Sequence, residues 1–174
     1  MNRPPSPLNM LLSRHTRRRE FIALLGFAFG WILSLPPVSA EESGLITKRS
    51  KYSVPETIKR FESAIQEKGY VVFTEIDHAA AAAKFGLQSL PRTVVVYGDP
   101  KNGTARLQQF PTLAIDAPPK ALVWQDAEGV VWLTLNSADY WVNHVYKRHG
   151  TSASADFIKK LEKDLEEVSD TVTK

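Results

Sequence analysis

Residues 121–135 contain the pattern that most restricts the fold. Two short runs rich in β-branched and aromatic residues, Ala121 to Trp124 and Val130 to Leu135, flank the segment QDAEG, which ends in Gly129. Runs of this composition on either side of a short glycine-containing segment are typical of a β-hairpin. The sequence therefore predicts two adjacent antiparallel strands, and the rest of the domain must be built around them.

Helical and strand patterns alternate before this hairpin. Apolar residues in 54–68 recur at spacings of three and four, which predicts a helix with one apolar face. The segments 70–76 (YVVFTEI) and 93–97 (TVVVY) have the composition of strands. The expected fold class is α+β: a single two-layer domain with a mixed or antiparallel sheet and helices on one face.

An extra amphipathic helix is predicted at the C-terminus, over residues 154–168. Phe157, Leu161, Leu165 and Val168 form one apolar stripe, and charged residues occupy the other side. Two interpretations remain open for this stripe. The helix docks on its own domain, which we favour, or it packs against a second subunit.

Residues 1–40 predict an export signal. A cluster of four arginines with one glutamate at 14–20 precedes an apolar run from Phe21 to Leu35, and small Ala40 follows. A charged region, an apolar region and a small-residue site together are typical of a secretory signal cut after Ala40. An uncleaved anchor is the alternative, although the run is short for a membrane-spanning helix.

The signal also resembles the twin-arginine type, because Arg18-Arg19 precedes Glu20 and then Phe21-Ile22. An ordinary secretory signal with extra arginines is the alternative. The expected organisation is a signal peptide at 1–40, a domain at 41–150, and a helix with a tail at 151–174. The expected location is periplasmic or secreted, with no stable membrane insertion after cleavage.

Removal of the signal changes the net charge. Five of the 22 Lys and Arg residues and one of the 19 acids lie in residues 1–40, so the mature balance is 17 − 18 = −1. The basic character of the whole chain belongs to the signal, and we expect no nucleic-acid partner. The chain has no cysteine, which excludes thiol catalysis, iron–sulfur clusters and cysteine-ligated zinc.

Asp77-His78 is the first candidate for chemistry. Asp77 precedes an alanine-rich helix predicted to end at Gly86, and its carboxylate is well placed to cap that helix. The helical period puts His78 on the face of Ala82 and Phe85, which we expect to be buried, with the alanines packing closely. A neutral imidazole beside a carboxylate is either a base or ligand, or a core histidine with satisfied hydrogen bonds.

Further candidate ligand-binding residues are Asp116, Trp124, Asp126 and His149. A metal site would require these side chains to converge through tertiary folding, because the histidine spacing does not place two on one helical face. Most of the late aromatic residues are expected in the core, and a few are expected to line an apolar pocket with polar groups beside it. No catalytic residue, metal ligand or cofactor is assigned.

The order of several short motifs is similar to one known family. They are VPET at 54–57, IDHA at 76–79, LPRT at 90–93, GDPKNGT at 98–104, IDAP at 115–118, WQD at 124–126 and RHG at 148–150. Over about residues 44–150 this order resembles the domain of unknown function 302 family. ARLQ at 105–108 departs from the usual pattern, in which proline, leucine and methionine are more typical, as does PP at 118–119.

The resemblance implies a compact α+β domain related to the TATA-binding-protein-like architecture, often seen as a dimer, without DNA binding. It implies no established activity. The function expected is a non-enzymatic exported module that binds a small apolar or amphipathic ligand or a protein partner, as a homodimer. The alternative is an enzyme or metal-binding protein that uses Asp77-His78 with Asp126 or His149.

Overall fold

Five strands form one sheet in residues 43–174, which are the residues that this computed structural model describes. The strands are β1 (Leu45–Ser50), β2 (Val71–Asp77), β3 (Arg92–Gly98), β4 (Lys120–Gln125) and β5 (Val131–Asn136). Their order across the sheet is β1-β5-β4-β3-β2, and every neighbouring pair is antiparallel. The predicted hairpin is confirmed as β4 and β5.

Helices connect or follow these strands. The α-helices of the described part are α1 (Val54–Glu67), α2 (His78–Ala83), α3 (Pro100–Gln109) and α4 (Ala155–Thr173), with a 3₁₀ helix at Pro111–Ile115 and a π-helix at Tyr140–Tyr146. The boundaries of α1 agree with the helix that the sequence predicts over residues 54–68. The Ser53 hydroxyl accepts a hydrogen bond from the Glu56 N–H, and Gly69 follows with a φ of 84°.

One face of the sheet is covered by α1 and α4, which also pack against each other. Strand residues on this face are almost fully enclosed, including Val95, Val123 and Leu133. Phe61 of α1 packs over them, with its ring edge against the ring of Tyr97 at 5.1 Å between centroids. The α+β class with helices on one face is confirmed.

The C-terminal helix is part of this core. Leu165, Val168 and Val172 of α4 belong to the same cluster of buried side chains as the sheet residues. Lys68, just after α1, forms ion pairs with Asp164 and Glu167 at 3.0 and 2.7 Å. The interpretation in which the amphipathic stripe docks on its own domain is therefore confirmed.

A second, smaller cluster lies against the first half of α4. Leu113, Trp141 and Val145 are its buried members, and Leu161 of α4 packs against it. A π-helix of seven residues follows β5. The Asp99 carboxylate caps α3, and Pro100 occupies its first turn.

In residues 43–174, the side chains on the other face of the sheet are less enclosed than those under the helices. Residues of β5 alternate between buried and half-buried, so Trp132 and Thr134 lie on the open face while Leu133 and Leu135 lie in the core. The register places Thr47 of β1 and Leu122 of β4 beside Thr134 on this open face. The domain therefore presents a half-exposed sheet surface opposite its core.

Candidate functional site

Asp77 ends β2 and caps α2. Its Oδ1 accepts a hydrogen bond from the Ala80 N–H at 2.9 Å, which confirms the predicted cap. Gly86 has a φ of 70°, a backbone conformation that glycine adopts with little strain, and the helical turns end there as predicted.

The predicted burial of His78 is wrong. His78 is exposed, Phe85 is 82% exposed, and α2 contains no buried residue. The alanines therefore do not pack closely against the sheet. The physical reason is that α2 follows the edge strand β2, is six residues long, and presents methyl groups whose burial would contribute little free energy.

A groove of about 530 Å³ lies beside Asp77, between α1 and the edge of the sheet. Its apolar lining comes from Val54, Pro55 and Ile58 of α1 and from Pro91 before β3.

The polar lining of this groove is mostly acidic. Glu62 of α1 and Glu75 and Asp77 of β2 supply three carboxyl groups, and Lys59 supplies one ammonium group. Partial burial raises the pKa of Glu62, and the neighbouring Glu75 carboxyl raises it further by charge repulsion and by a hydrogen bond. Glu62 is therefore protonated more readily than an isolated glutamic acid.

Two tryptophans form the centre of the open face. Trp124 of β4 and Trp132 of β5 are directly opposite in the register, and their rings stack with centroids 6.1 Å apart at 24°. The Trp124 Nε1 donates to the Thr134 hydroxyl at 3.0 Å, and the Trp132 Nε1 donates to Asp126 Oδ2 at 2.7 Å. Both indole rings are therefore held in place by hydrogen bonds, and both tryptophans are half-buried.

Asp126 organises the hairpin turn that supports this pair. Its Oδ1 accepts hydrogen bonds from the backbone N–H groups of Glu128 and Val130 at 3.1 and 2.8 Å. The hydrogen bond from Trp132 is the main cause that holds the pKa of Asp126 below its usual value. Asp126 acts as an ionised acceptor within its own turn.

Arginines stand at both ends of the tryptophan pair. Arg49 of β1 is opposite Trp132, and Arg92 of β3 is opposite Trp124, so a single row crosses four strands as Arg-Trp-Trp-Arg. Both arginines are exposed, and within the described residues neither forms a salt bridge. Neighbouring strands lie about 4.8 Å apart, so the two arginine Cα atoms are separated by about 14 Å.

Asp116 and His149 meet at a different place. His149 Nε2 lies 2.7 Å from Asp116 Oδ2, and its Nδ1 lies 3.0 Å from the Thr112 hydroxyl. The hydrogen bond from His149 lowers the pKa of Asp116, as does the nearby charge of Arg148. Because both ring nitrogens are engaged, this histidine joins the 3₁₀ helix to the end of the π-helix and has no free nitrogen for a ligand.

The six predicted residues therefore separate into three places. Asp77 and His78 lie at the edge strand, Trp124 and Asp126 at the hairpin, and Asp116 and His149 at the second cluster. The grouping of Asp77-His78 with Asp126 or His149 does not occur. In residues 43–174, no three His, Cys, Asp or Glu side chains come together as a metal site.

Sequence reasoning missed the residues that complete two of these places. Glu62, Glu75 and Thr93 line the groove, and Arg49 and Arg92 flank the tryptophans. A signal existed for Glu75, because it is an acid in a strand composed mainly of apolar residues. No signal existed for Arg49, since its place beside Trp132 depends on the pairing of strands far apart in sequence.

The sequence profile of the family described as "Domain of unknown function DUF302" matches residues 46–172, which extends into α4. A similar fold occurs in the crystal structure of an uncharacterized conserved DUF302 protein from Bacillus stearothermophilus. That likeness has a TM-score of 0.61 at 18% identity and covers 74% of this chain and 98% of that one.

Curated relatives are longer proteins. The chain is 39% identical over 121 residues to proteins named "Fluoride-specific ion channel FluC 1" from Brucella suis biovar 1 (strain 1330) and Brucella abortus biovar 1 (strain 9-941). The match covers 70% of this chain but 46% and 43% of theirs, so the chain spans less than half their length. Within the described part of this chain, no helix is both long and apolar enough to cross a bilayer.

Proposed function

Because the chain belongs to the DUF302 family, whose description names no activity, we propose a function from geometry: a non-enzymatic exported domain that binds a small amphipathic ligand. The site is the Arg-Trp-Trp-Arg row on the open face of the sheet. The single observation that carries the proposal is that both indole N–H groups have hydrogen-bond partners, at Thr134 and Asp126, while both tryptophans remain only half-buried.

The row has the chemistry expected for an apolar ligand with an acidic group. Stacked indoles supply a rigid apolar surface that is already ordered on folding, so the protein loses less side-chain entropy when a ligand binds. Arg49 and Arg92 supply guanidinium groups at either end, and guanidinium binds carboxylate through paired hydrogen bonds. An aliphatic or aromatic carboxylate therefore matches both parts of the surface.

A catalytic role is not proposed, because the histidines lack the arrangement that such a role needs. His149 uses both ring nitrogens, and His78 is exposed at the start of α2. A general base requires a free nitrogen within reach of a nucleophile or substrate. The fluoride specificity named for the Brucella proteins is not part of the proposal either, since it describes chains more than twice the matched length.

Ligand binding is tested by titration with dodecanoate, using the change in tryptophan fluorescence. Residues 41–174 contain three tryptophans, and the third, Trp141, is buried in the second cluster, so a Trp141→Phe background makes the signal specific to the pair. Saturable binding, weakened about tenfold or more in Arg49→Gln/Arg92→Gln, is expected. Lys101→Gln/Lys159→Gln is the charge-matched control, and equal binding by both double variants would refute the site.

Export remains a proposal that rests on residues 1–40, which lie outside the described residues. The twin-arginine pattern and the apolar run support a periplasmic or secreted location. N-terminal sequencing of protein from the periplasmic fraction tests it. A mature terminus at Glu41 is expected, and Arg18→Lys/Arg19→Lys is expected to block export if the twin-arginine route is used.

Homodimer formation is also proposed, with the edge strand β2 and the loop after α2 as the contact. Exposed large apolar side chains concentrate there: Phe73 at 53%, Ile76 at 45%, Phe85 at 82% and Leu87 at 63%. A patch of this kind is typical of an interaction surface. Native mass spectrometry is expected to show a dimer that Phe85→Ser/Leu87→Ser converts to a monomer. A wild-type monomer would contradict the dimer without affecting the ligand site.

A further inference from the structure

We propose a second binding site in the groove between α1 and β2, which takes the ammonium group of a small alkylamine. It is independent of the tryptophan row, because it lies on the helix-covered side of the sheet. The groove combines an apolar wall with acidic side chains, which is the composition that an amine with a short apolar tail requires.

The apolar wall determines the kind of ligand. Val54, Pro55 and Ile58 line the α1 side, and Ala79 and Pro91 line the side toward the edge strand. The volume of about 530 Å³ exceeds what a single ion needs and is within the range of small-molecule sites. A metal ion would leave the apolar wall uncovered, whereas an alkyl chain removes it from water.

Thr93 is an independent indication of a ligand. Its side chain is only 7% exposed, lies on the helix-covered face and lines the groove. Within the described part of the chain, its hydroxyl forms no hydrogen bond, although backbone pairing on both neighbouring strands is complete. Among the described residues, Arg60 Nε is the one fully enclosed side-chain polar atom without a partner, so the Thr93 hydroxyl remains reachable from the groove, where a ligand ammonium can donate to it.

The carboxyl groups supply the charge. Glu62 on α1 and Glu75 on β2 both line the groove with a carboxyl group, and Asp77 adds a third. Asp77 uses Oδ1 to cap α2 and has Oδ2 left for a ligand. Lys59 is the cationic residue of the lining, and it forms no salt bridge among the described residues.

An ammonium group between Glu62 and Glu75 favours the ionised form of Glu62. Burial and the neighbouring charge of Glu75 raise the pKa of Glu62, and a cation between the two side chains opposes both effects. Binding therefore releases a proton when Glu62 is protonated. Affinity is expected to increase as the pH rises through the raised pKa of Glu62, with Lys59, Glu75 and Asp77 as the other charged groups that face it.

The test is isothermal titration of the purified protein with n-hexylammonium at pH 7 and pH 5. Binding at pH 7 that weakens at pH 5 is expected, with hexanoate as a ligand of opposite charge that does not enter the groove. Glu75→Gln and Glu62→Gln are each expected to weaken binding about tenfold, since each removes a charge-assisted contact. Thr93→Val, which keeps the shape of the side chain, is expected to weaken it less.

Glu162→Gln is the matched control, because Glu162 is an exposed acid on α4 outside the groove. Far-UV circular dichroism confirms that each variant is folded before titration. No binding of hexylammonium by the wild type, or equal binding by Glu75→Gln and Glu162→Gln, would overturn the proposal. The dodecanoate titration of the same variants is expected to be unchanged, so the two sites are tested separately.

Discussion

The two faces of the sheet differ in what covers them, although the same strands build both. Leu133 and Leu135 of β5 are 1% and 2% exposed under the helices. Trp132 and Thr134, which alternate with them along the strand, are half-buried on the open face. Side chains alternate along a strand, so each strand contributes to both faces in equal measure.

This difference separates the residues that hold the domain together from those available to bind. On the helix-covered face, a substitution opens a cavity in a closed core, and the lost contacts are not replaced by water. On the open face, the solvent fills the space that a smaller side chain leaves. The open face therefore tolerates residues chosen for recognition, such as a stacked tryptophan pair between two arginines.

The largest expected effect comes from Leu133→Ala. It removes a side chain that is 1% exposed, and the free energy of unfolding is expected to fall by about 2–5 kcal/mol. Leu122→Ala, the same change at a half-buried position on the open face of β4, is expected to have less than half that effect. Urea denaturation of both variants measures the contrast, and equal losses would show that the open face is covered in solution.

Trp132→Ala is expected to have the next largest effect. It removes the stack on Trp124 and the partner of Asp126, and stability is expected to fall by about 1–2 kcal/mol. Dodecanoate binding is expected to be lost in the same variant. A loss of stability as large as that of Leu133→Ala, or unchanged dodecanoate binding, would break the distinction between the faces.

Asp77→Ala tests the junction between the groove and the exposed helix α2. Loss of the cap is expected to lower stability by about 0.5–1 kcal/mol and to speed amide exchange at residues 80–83. Asp77→Asn retains a capping oxygen and is expected to restore protection. If hydrogen exchange by mass spectrometry shows the same rates in all three proteins, the cap does not stabilise α2.

Glu62→Gln is expected to change the stability least, and to raise it where the other substitutions lower it. The folded-state pKa of Glu62 is raised above its unfolded value, so its contribution to stability is present at low pH and is lost as the pH rises through the folded pKa. The side-chain amide introduced by Glu62→Gln stays uncharged at every pH and therefore avoids this loss of stability. The variant is expected to melt about 1–3 °C higher than the wild type at pH 7 and equally at pH 4.

Thermal melts at several pH values, with Glu162→Gln as the control, measure this difference. A lower melting temperature for Glu62→Gln at pH 7 would mean that the ionised carboxylate is stabilised in the folded protein. The inference that burial and the neighbouring Glu75 raise the pKa of Glu62 would then be wrong.

The elements of the fold followed closely from local patterns, but the site did not. The hairpin, the boundaries of α1 and the cap at Asp77 depend on residues within a few positions of one another, and the structure confirms them. The burial of His78 was predicted from helical period alone and is wrong. The helical repeat places His78 and Phe85 on one face of α2. Whether that face is buried depends on the position of α2 beside an edge strand, which the repeat does not predict.

What the sequence by itself determined is most of the strands and longer helices, the antiparallel hairpin, the cap at Asp77 and the family. Those depend on backbone preferences and on short-range hydrogen bonds. The tertiary structure decided which residues meet. Arg49 comes beside Trp132 only because β1 pairs with β5, and Glu62 meets Glu75 only because α1 crosses the sheet near its edge. Contacts between residues distant in the chain depend on how layers pack, and no local pattern contains that information.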